Sequence, residues 1–240
     1  MTRTGRPTLV IAHRGASAYR PENTFSSYEL AVEQAADMIE IDLHLSRDGA
    51  VVVAHDELLV GLGGRGEIAE ATLAELRALD AGGGQRIPTL EEVLDRFGSR
   101  IPFNLELKRA VNADYSGLEG KALDAVVRRG LLERTLFSSF YDAVLRRLRA
   151  LCREARIALL VSRKLPKGAL DRAALVQAEA VNPEHSVASP EFVGQAHDAG
   201  LDVHVFTVDA ESELKRFLAL GVDGIFTNAP DRLRRLVPRP

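Results

Sequence analysis

The chain has 240 residues, 46% hydrophobic and 27% charged, which suffices for a large core and lies within the span of a single α/β barrel. A formal net charge of −3 gives no reason to expect nucleic acid as a partner, and a single cysteine excludes an intramolecular disulfide. No stretch reaches the roughly 18 consecutive apolar residues of a membrane-spanning helix, and the first apolar run is too short for a signal peptide, so the expectation is a cytoplasmic protein with no stable membrane insertion.

The first predicted strand is TLVIAH at 8–13. It runs into His13-Arg14-Gly15, a titratable imidazole beside a fork-shaped phosphate binder, with a glycine that lets the backbone turn tightly. Pro21-Glu22-Asn23-Thr24 follows and opens a helix at 24–35; Thr24 is expected to cap it, while Asn23 suits capping or chemistry equally. The second strand, MIEIDL at 38–43, carries Glu40 and Asp42 two residues apart in an apolar run, so both point to one face. Only a short turn at Asp48-Gly49 separates it from AVVVAHD, which is a hairpin signal rather than a crossover. With those two residues at the turn, Arg47 faces Ala50, Leu45 faces Val52 and Asp42 faces His55, so the hairpin returns His55 to the level of Asp42. His44 is expected to face outward, in a surface or packing role.

Residues 57–86 form an irregular excursion that contains GLGGRG at 61–66 and AGGG at 81–84. GLGGRG lacks the helix-opening context and the GK[ST] ending of a phosphate loop, so a flexible loop is expected. A helix at 89–97 leads to the strand FNLELK at 103–108, where Asn104, Glu106 and Lys108 share one face and Phe103, Leu105 and Leu107 the other. Helix 118–130 closes on Gly130. Strand 135–140 precedes helix 141–155, in which Cys152 is expected to pack in the core. Strand 157–161, helix 171–177 and strand 178–183 follow, and His185 lies just after as a possible rim residue. Ser189-Pro190 starts the helix at 189–200, where His197 is expected to be structural. Strand 202–208 carries His204 and Phe206 on one face, with His204 one layer deeper. Helix 211–221 and strand 224–228 complete the alternation.

Eight strands joined by helical crossovers pair in parallel. Length and alternation fit a (β/α)8 barrel with an extra hairpin strand after strand 2, with a doubly wound sheet as the alternative. Residues 1–240 are read as one domain, with 57–86 as an excursion at the substrate mouth.

Parallel barrel strands are ordinarily apolar on both faces. Two inward carboxylates cost several kcal/mol unless compensated, and Glu106 on the next strand repeats the anomaly. Three carboxylates at one barrel mouth repel each other, and a divalent cation relieves that repulsion. An all-oxygen set selects a hard ion, Mg²⁺ or Ca²⁺. With His13 and His55 as acid and base, and Arg14 and Lys108 spreading negative charge, the set suits hydrolysis of a phosphodiester. Which imidazole is the acid stays open.

HRG, PENT, EIDLHLSRDGAVVVAHD, IPTLEEVL and NLELK, with AHDAGLDVHVFTVD and GVDGIFTNAPD near the C-terminus, resemble the glycerophosphodiester phosphodiesterase family, whose fold is a metal-dependent TIM-type barrel. The resemblance covers nearly the whole chain. It implies that Glu40, Asp42 and Glu106 bind the metal, that His13 and His55 are the acid/base pair, and that Arg14 and Lys108 hold the phosphate. The implied reaction yields glycerol 3-phosphate and an alcohol, directly or through a cyclic phosphate. The chain departs from the family in having Phe206 where Trp is usual, Asp209 where Asn is frequent and Asn228 where Asp is common. It also has ELLVGLGGRGEIAE in place of an Arg-Thr-Thr run. Phe206 still offers an apolar wall for the glycerol portion but no indole N–H. These departures bear on substrate preference. A lysophospholipid-directed phosphodiesterase and a non-catalytic barrel that binds a phosphorylated ligand are the alternative readings. Nothing in the sequence sets the oligomeric state.

Overall fold

The computed structural model describes residues 2–3, 5–110, 112 and 115–238. Nine strands form one sheet: β1 (Leu9–His13), β2 (Met38–Leu45), β3 (Val51–Val53), β4 (Phe103–Leu107), β5 (Thr135–Ser139), β6 (Arg156–Val161), β7 (Ala180–Pro183), β8 (Asp202–Val205) and β9 (Gly224–Thr227). Their order is β1-β9-β8-β7-β6-β5-β4-β2, and a parallel β1–β2 pairing closes the barrel. The extra strand β3 lies antiparallel on β2, outside the closed ring. This is the predicted (β/α)8 barrel with its hairpin strand, and the doubly wound alternative falls.

Helices α1 (Phe25–Glu33), α3 (Leu90–Phe97), α4 (Leu118–Val127), α5 (Asp142–Leu151), α6 (Ala169–Leu175), α7 (Pro190–Asp198) and α8 (Glu211–Leu220) occupy the predicted crossovers, and two short helices, α2 (Leu73–Arg77) and α9 (Pro230–Arg234), were not expected. Thr24, Thr89 and Ser189 each accept a backbone N–H from the first turn of their helix, as their residue types favour. Gly130, Gly200 and Gly221 adopt positive φ just past helix ends. The main core fills the layer between barrel and helices. Ile11, Met38 and Phe226 pack with Leu9 and Phe206, and Leu136, Ala158 and Ala180 form a separate smaller cluster.

The hairpin register differs from the expectation by one residue. Leu43 pairs with Val53, His44 with Val52 and Leu45 with Val51. The reason is a three-residue loop instead of two: Gly49, at φ 81°, donates its N–H to the Ser46 carbonyl, and Ser46 donates to the Ala50 carbonyl. Asp42 therefore lies opposite Ala54, whose N–H it accepts at 3.1 Å. The ladder ends there, so His55 is released from strand alternation and turns to the barrel mouth. The same stretch of β2 that loses β1 as a neighbour after Glu40 thus gains β3.

Residues 57–86 hold more structure than an irregular loop. They contain 3-10 turns at Leu59–Leu62 and Ile68–Glu70 besides α2. Their apolar side chains form a separate small core, with Leu59, Ile68 and Leu76 packed on Val52, Ala54 and Ile87. GLGGRG opens no helix onto a ligand, in keeping with the rejection of a phosphate loop. Cys152 sits one residue past α5 and is half-buried at the edge of the main core, rather than within the helix.

Candidate active site

The site lies where β1, β2 and β4 end side by side at the C-terminal mouth of the barrel. Glu40 pairs in register with Asn104, and Asp42 with Glu106, so the parallel ladder itself brings the three acids together. Glu40, Asp42 and Glu106 are buried, and one carboxylate oxygen from each lies within 4.8 Å of the others. This is a compact, hard-oxygen donor set of the kind that suits a divalent cation. Glu40 Oε1 is buried without a hydrogen-bond partner, which leaves it open to a cation.

Two side-chain cations compensate the acids. Lys108 Nζ lies 2.8 Å from Asp42 Oδ1 and 2.7 Å from Glu106 Oε1. Arg14 Nε lies 3.3 Å from Asp42 Oδ2, and its Nη1 donates to both oxygens of Glu22 at 3.1 and 3.0 Å. Arg14 also donates its backbone N–H to Glu40 Oε2 at 3.1 Å, helped by its left-handed φ of 58°. Burial pushes the Asp42 carboxyl up, but Lys108 and Arg14 outweigh it and hold Asp42 below the usual carboxylate range. Glu40 goes the other way: burial raises it, and the neighbouring Asp42 and Glu106 add to the rise. Burial likewise raises Glu106 despite Lys108.

His13 and His55 flank the acids. His13 Nε2 is 4.0 Å from Glu40 Oε2, and its Nδ1 is 2.8 Å from Asn228 Oδ1. His55 Nδ1 is 2.8 Å from Asp56 Oδ1. Burial, reinforced by Arg14, lowers His13 to about 4; burial also lowers His55, with less effect because it is only partly covered. A cavity of about 200 Å³ is lined by His13, Arg14, Glu40, His55, Glu106, Lys108 and Phe206. Asp42, 1% exposed, lies beneath. Every site residue expected from the sequence is thus brought to one place. Phe206 forms an aromatic wall, edge-on to Phe140 and Phe226 at centroid distances of 6.0 and 6.3 Å.

Other residues enter without having been assigned a role. Asn23, at φ 55°, donates its side-chain N–H to Asp42 Oδ2 at 2.9 Å, while the helix is capped by Thr24. Asn104 donates to Ser138 Oγ at 2.8 Å, and both line the cavity. Asp209 and Asn228, noted above as separate departures from a family pattern, touch each other: Asn228 Nδ2 donates to Asp209 Oδ2 at 2.6 Å. No sequence spacing could show that contact, which joins the ends of β8 and β9.

The outward placement of His44 is wrong. His44 is buried, because residues 40, 42 and 44 share strand parity and the 57–86 segment and Tyr115 cover this part of the strand. Its Nε2 is 3.1 Å from the His55 carbonyl oxygen, which can only accept, so Nε2 carries the proton; Nδ1 then accepts from the Tyr115 hydroxyl at 2.7 Å. His44 thereby holds the backbone of His55. Burial lowers its pKa to about 4. His185 is exposed, and His197, on α7, bonds Asp223 at 2.8 Å. His204 is buried inside the barrel, with Nδ1 lacking a partner among the described residues.

A second recess of about 280 Å³ adjoins His55 and is lined by Val53, Ala54, Leu58, Leu62 and Ile87 among others. At its edge Leu58 and Val60 are 49% and 75% exposed. No helix among the described residues is long and apolar enough to cross a membrane.

Residues 13–232 match the model of the glycerophosphoryl diester phosphodiesterase family. A glycerophosphodiester phosphodiesterase of Caldanaerobacter subterraneus subsp. tengcongensis is 36% identical over 96% of this chain and 98% of its own length. One from Bacillus subtilis is 34% identical, covering 95% and 86%. Among solved structures, an Oleispira antarctica phosphodiesterase in complex with the product sn-glycerol-3-phosphate aligns with a TM-score of 0.83 at 32% identity over 98% of both chains. A glycerophosphodiester phosphodiesterase from Agrobacterium tumefaciens aligns with a TM-score of 0.81 at 28% identity, covering 94% and 98%.

Proposed function

Because the chain belongs to the glycerophosphoryl diester phosphodiesterase family, we propose that it hydrolyses glycerophosphodiesters to glycerol 3-phosphate and an alcohol. The observation that carries this reading is the buried cluster of Glu40, Asp42 and Glu106, two of which share one cavity with two imidazoles. The complex of the Oleispira antarctica relative with sn-glycerol-3-phosphate supports the identity of the product.

The three carboxylates would hold Mg²⁺ or Ca²⁺, which supplies Lewis-acid polarisation of a phosphoryl oxygen. The chain's own residues do the rest. Arg14 and Lys108 line the cavity and offset negative charge that grows on phosphorus-bound oxygens. His13, buried and backed by the neutral Asn228 amide, suits the base that removes a proton from the attacking hydroxyl. His55 has Nδ1 hydrogen-bonded to the Asp56 carboxylate, which orients the ring for the role of the acid that protonates the leaving oxygen and partly offsets the lowering of its pKa by burial. Phe206 packs against the glycerol portion, and the 57–86 excursion borders the substrate mouth.

The test is a panel of glycerophosphocholine, glycerophosphoethanolamine, glycerophosphoglycerol and glycerophosphoinositol, each with Mg²⁺ or Ca²⁺ and with product identification. Glycerol 3-phosphate as the product supports the reading, and a persistent cyclic phosphate indicates the two-stage route. Ligand binding with no turnover of any substrate means a binding barrel instead.

A second reading, action on lysophospholipid head groups, is favoured by the exposed Leu58 and Val60 beside the apolar recess next to His55. It requires faster turnover on vesicles of lysophospholipid than on soluble diesters, and loss of that advantage in Val60→Glu.

A further inference from the structure

We propose that Asp209 is a positioning residue that acts through Asn228 to lock His13 in one tautomer, with the proton on Nδ1 and a bare Nε2 facing the carboxylate cluster. The proposal rests on the reading of His13 as an acid/base residue. It adds a device outside the cavity that decides which atom of the ring can exchange a proton there.

The argument follows from what each group can donate. A carboxylate accepts and does not donate. Asp209 is held by three donors: Oδ1 accepts from the Thr227 hydroxyl at 2.8 Å and the Asn228 backbone N–H at 2.7 Å, and Oδ2 accepts from the Asn228 side chain at 2.6 Å. The Asn228 NH₂ must therefore face Asp209, because the flipped amide would set its oxygen against a carboxylate oxygen. Its Oδ1 then faces His13 Nδ1 at 2.8 Å. The Ser17 hydroxyl lies 2.9 Å from the same atom and 2.8 Å from the His13 carbonyl oxygen, and with one proton to give it leaves the orientation of the amide to Asp209. An amide oxygen cannot donate, so His13 Nδ1 carries the hydrogen. A neutral imidazole has one N–H, which leaves Nε2 as the lone-pair atom, 4.0 Å from Glu40 Oε2.

Without Asp209, the amide could turn and present NH₂ to His13. Nδ1 would then accept, and the hydrogen would move to Nε2, where it blocks that atom from taking a proton. Asp209 itself touches neither the cavity nor the acids by any contact described above. Its influence on His13 passes through one side chain on the loop after β9.

The experiment is two-bond ¹H–¹⁵N spectroscopy of the full-length protein, ¹⁵N-labelled at histidine, with Mg²⁺ present at neutral pH. The expected His13 signature is a protonated Nδ1 and an unprotonated Nε2; a protonated Nε2 in the unmutated protein overturns the proposal. In Asp209→Ala, mixed tautomers are expected, with kcat reduced about tenfold or more and KM changed less than about threefold. A single Nδ1–H tautomer together with kcat within about twofold of the parent overturns the proposal. The exchange Asp209→Asn/Asn228→Asp restores an obligate acceptor beside His13 and a donor behind it, so kcat should return to within about threefold. That exchange and the parent spectrum decide the matter even if Asp209→Ala does not fold. Thr227→Val removes a bond to Asp209 without freeing Asn228, and should keep the parent tautomer and kcat. Failure of the unmutated protein to turn over any glycerophosphodiester would overturn the functional reading while leaving the tautomer result in place.

Discussion

A carboxylate in an apolar strand is informative because it is costly, and that cost made Glu40, Asp42 and Glu106 readable from sequence. Replacing Glu40 or Glu106 with Gln keeps the shape and removes a negative donor. Metal-dependent turnover should fall by at least about a hundredfold in either variant, while the circular dichroism spectrum stays that of the parent. Turnover that persists in excess chelator would contradict the role of the cluster. The expectation for His44 missed that it shares strand parity with Glu40 and Asp42, and the cover from Tyr115, far along the chain, leaves no local trace. Its pKa, lowered by burial from 6.5 to about 4, gives a pH prediction with a definite sign. Between those values the unfolded chain binds a proton that the folded chain does not. The stabilisation from neutral His44 is thus present above about pH 6.5 and is lost as pH falls toward 4, by up to about 3 kcal/mol. His44→Phe should lose stability less steeply than the parent over this window in denaturant titrations. An identical pH slope in the two proteins would show that His44 does not titrate as described.

The hairpin shows what pattern alone leaves open at the scale of an element. Alternation and Asp48-Gly49 indicate an antiparallel return, and β3 provides it. The register depends on whether the loop has two residues or three, and the backbone hydrogen bond from Ser46 to the Ala50 carbonyl settles it at three. The functional outcome survived the one-residue slip because the ladder stops at Ala54 and frees His55. The 57–86 excursion was read as irregular because its elements are too short to show periodicity, yet it buries its own apolar cluster. Ile68, fully buried there, is a direct probe. Ile68→Ala should cost about 2–4 kcal/mol within this unit. Limited proteolysis should then cut inside 57–86 well before the barrel unfolds, whereas a cut pattern like the parent's would mean that the excursion has no core of its own.

At the scale of the whole molecule, closure of the barrel sets tight limits on its lumen. A Cβ at Gly224 would come within 2.8 Å of the His204 ring and 2.9 Å of Ile11 Cδ1, side chains from the strands on either side. Gly224→Ala should therefore cost about 1–3 kcal/mol by overpacking, read as a lowered denaturation midpoint; an unchanged midpoint would show that the lumen gives way freely. The sequence by itself determined the eight-strand alternation, the hairpin, the three acids, both histidines and the cationic pair. Each leaves a local trace, either a periodicity or a charged residue where an apolar one is the default. Only the tertiary structure decided the register of the hairpin, the burial of His44, the support of Asp42 by Asn23 and the contact of Asp209 with Asn228. These depend on which chain segments meet across the barrel mouth, and a hydrogen bond such as that of His13 with Asn228, 215 positions apart, is fixed by closure of the sheet rather than by any neighbouring residue.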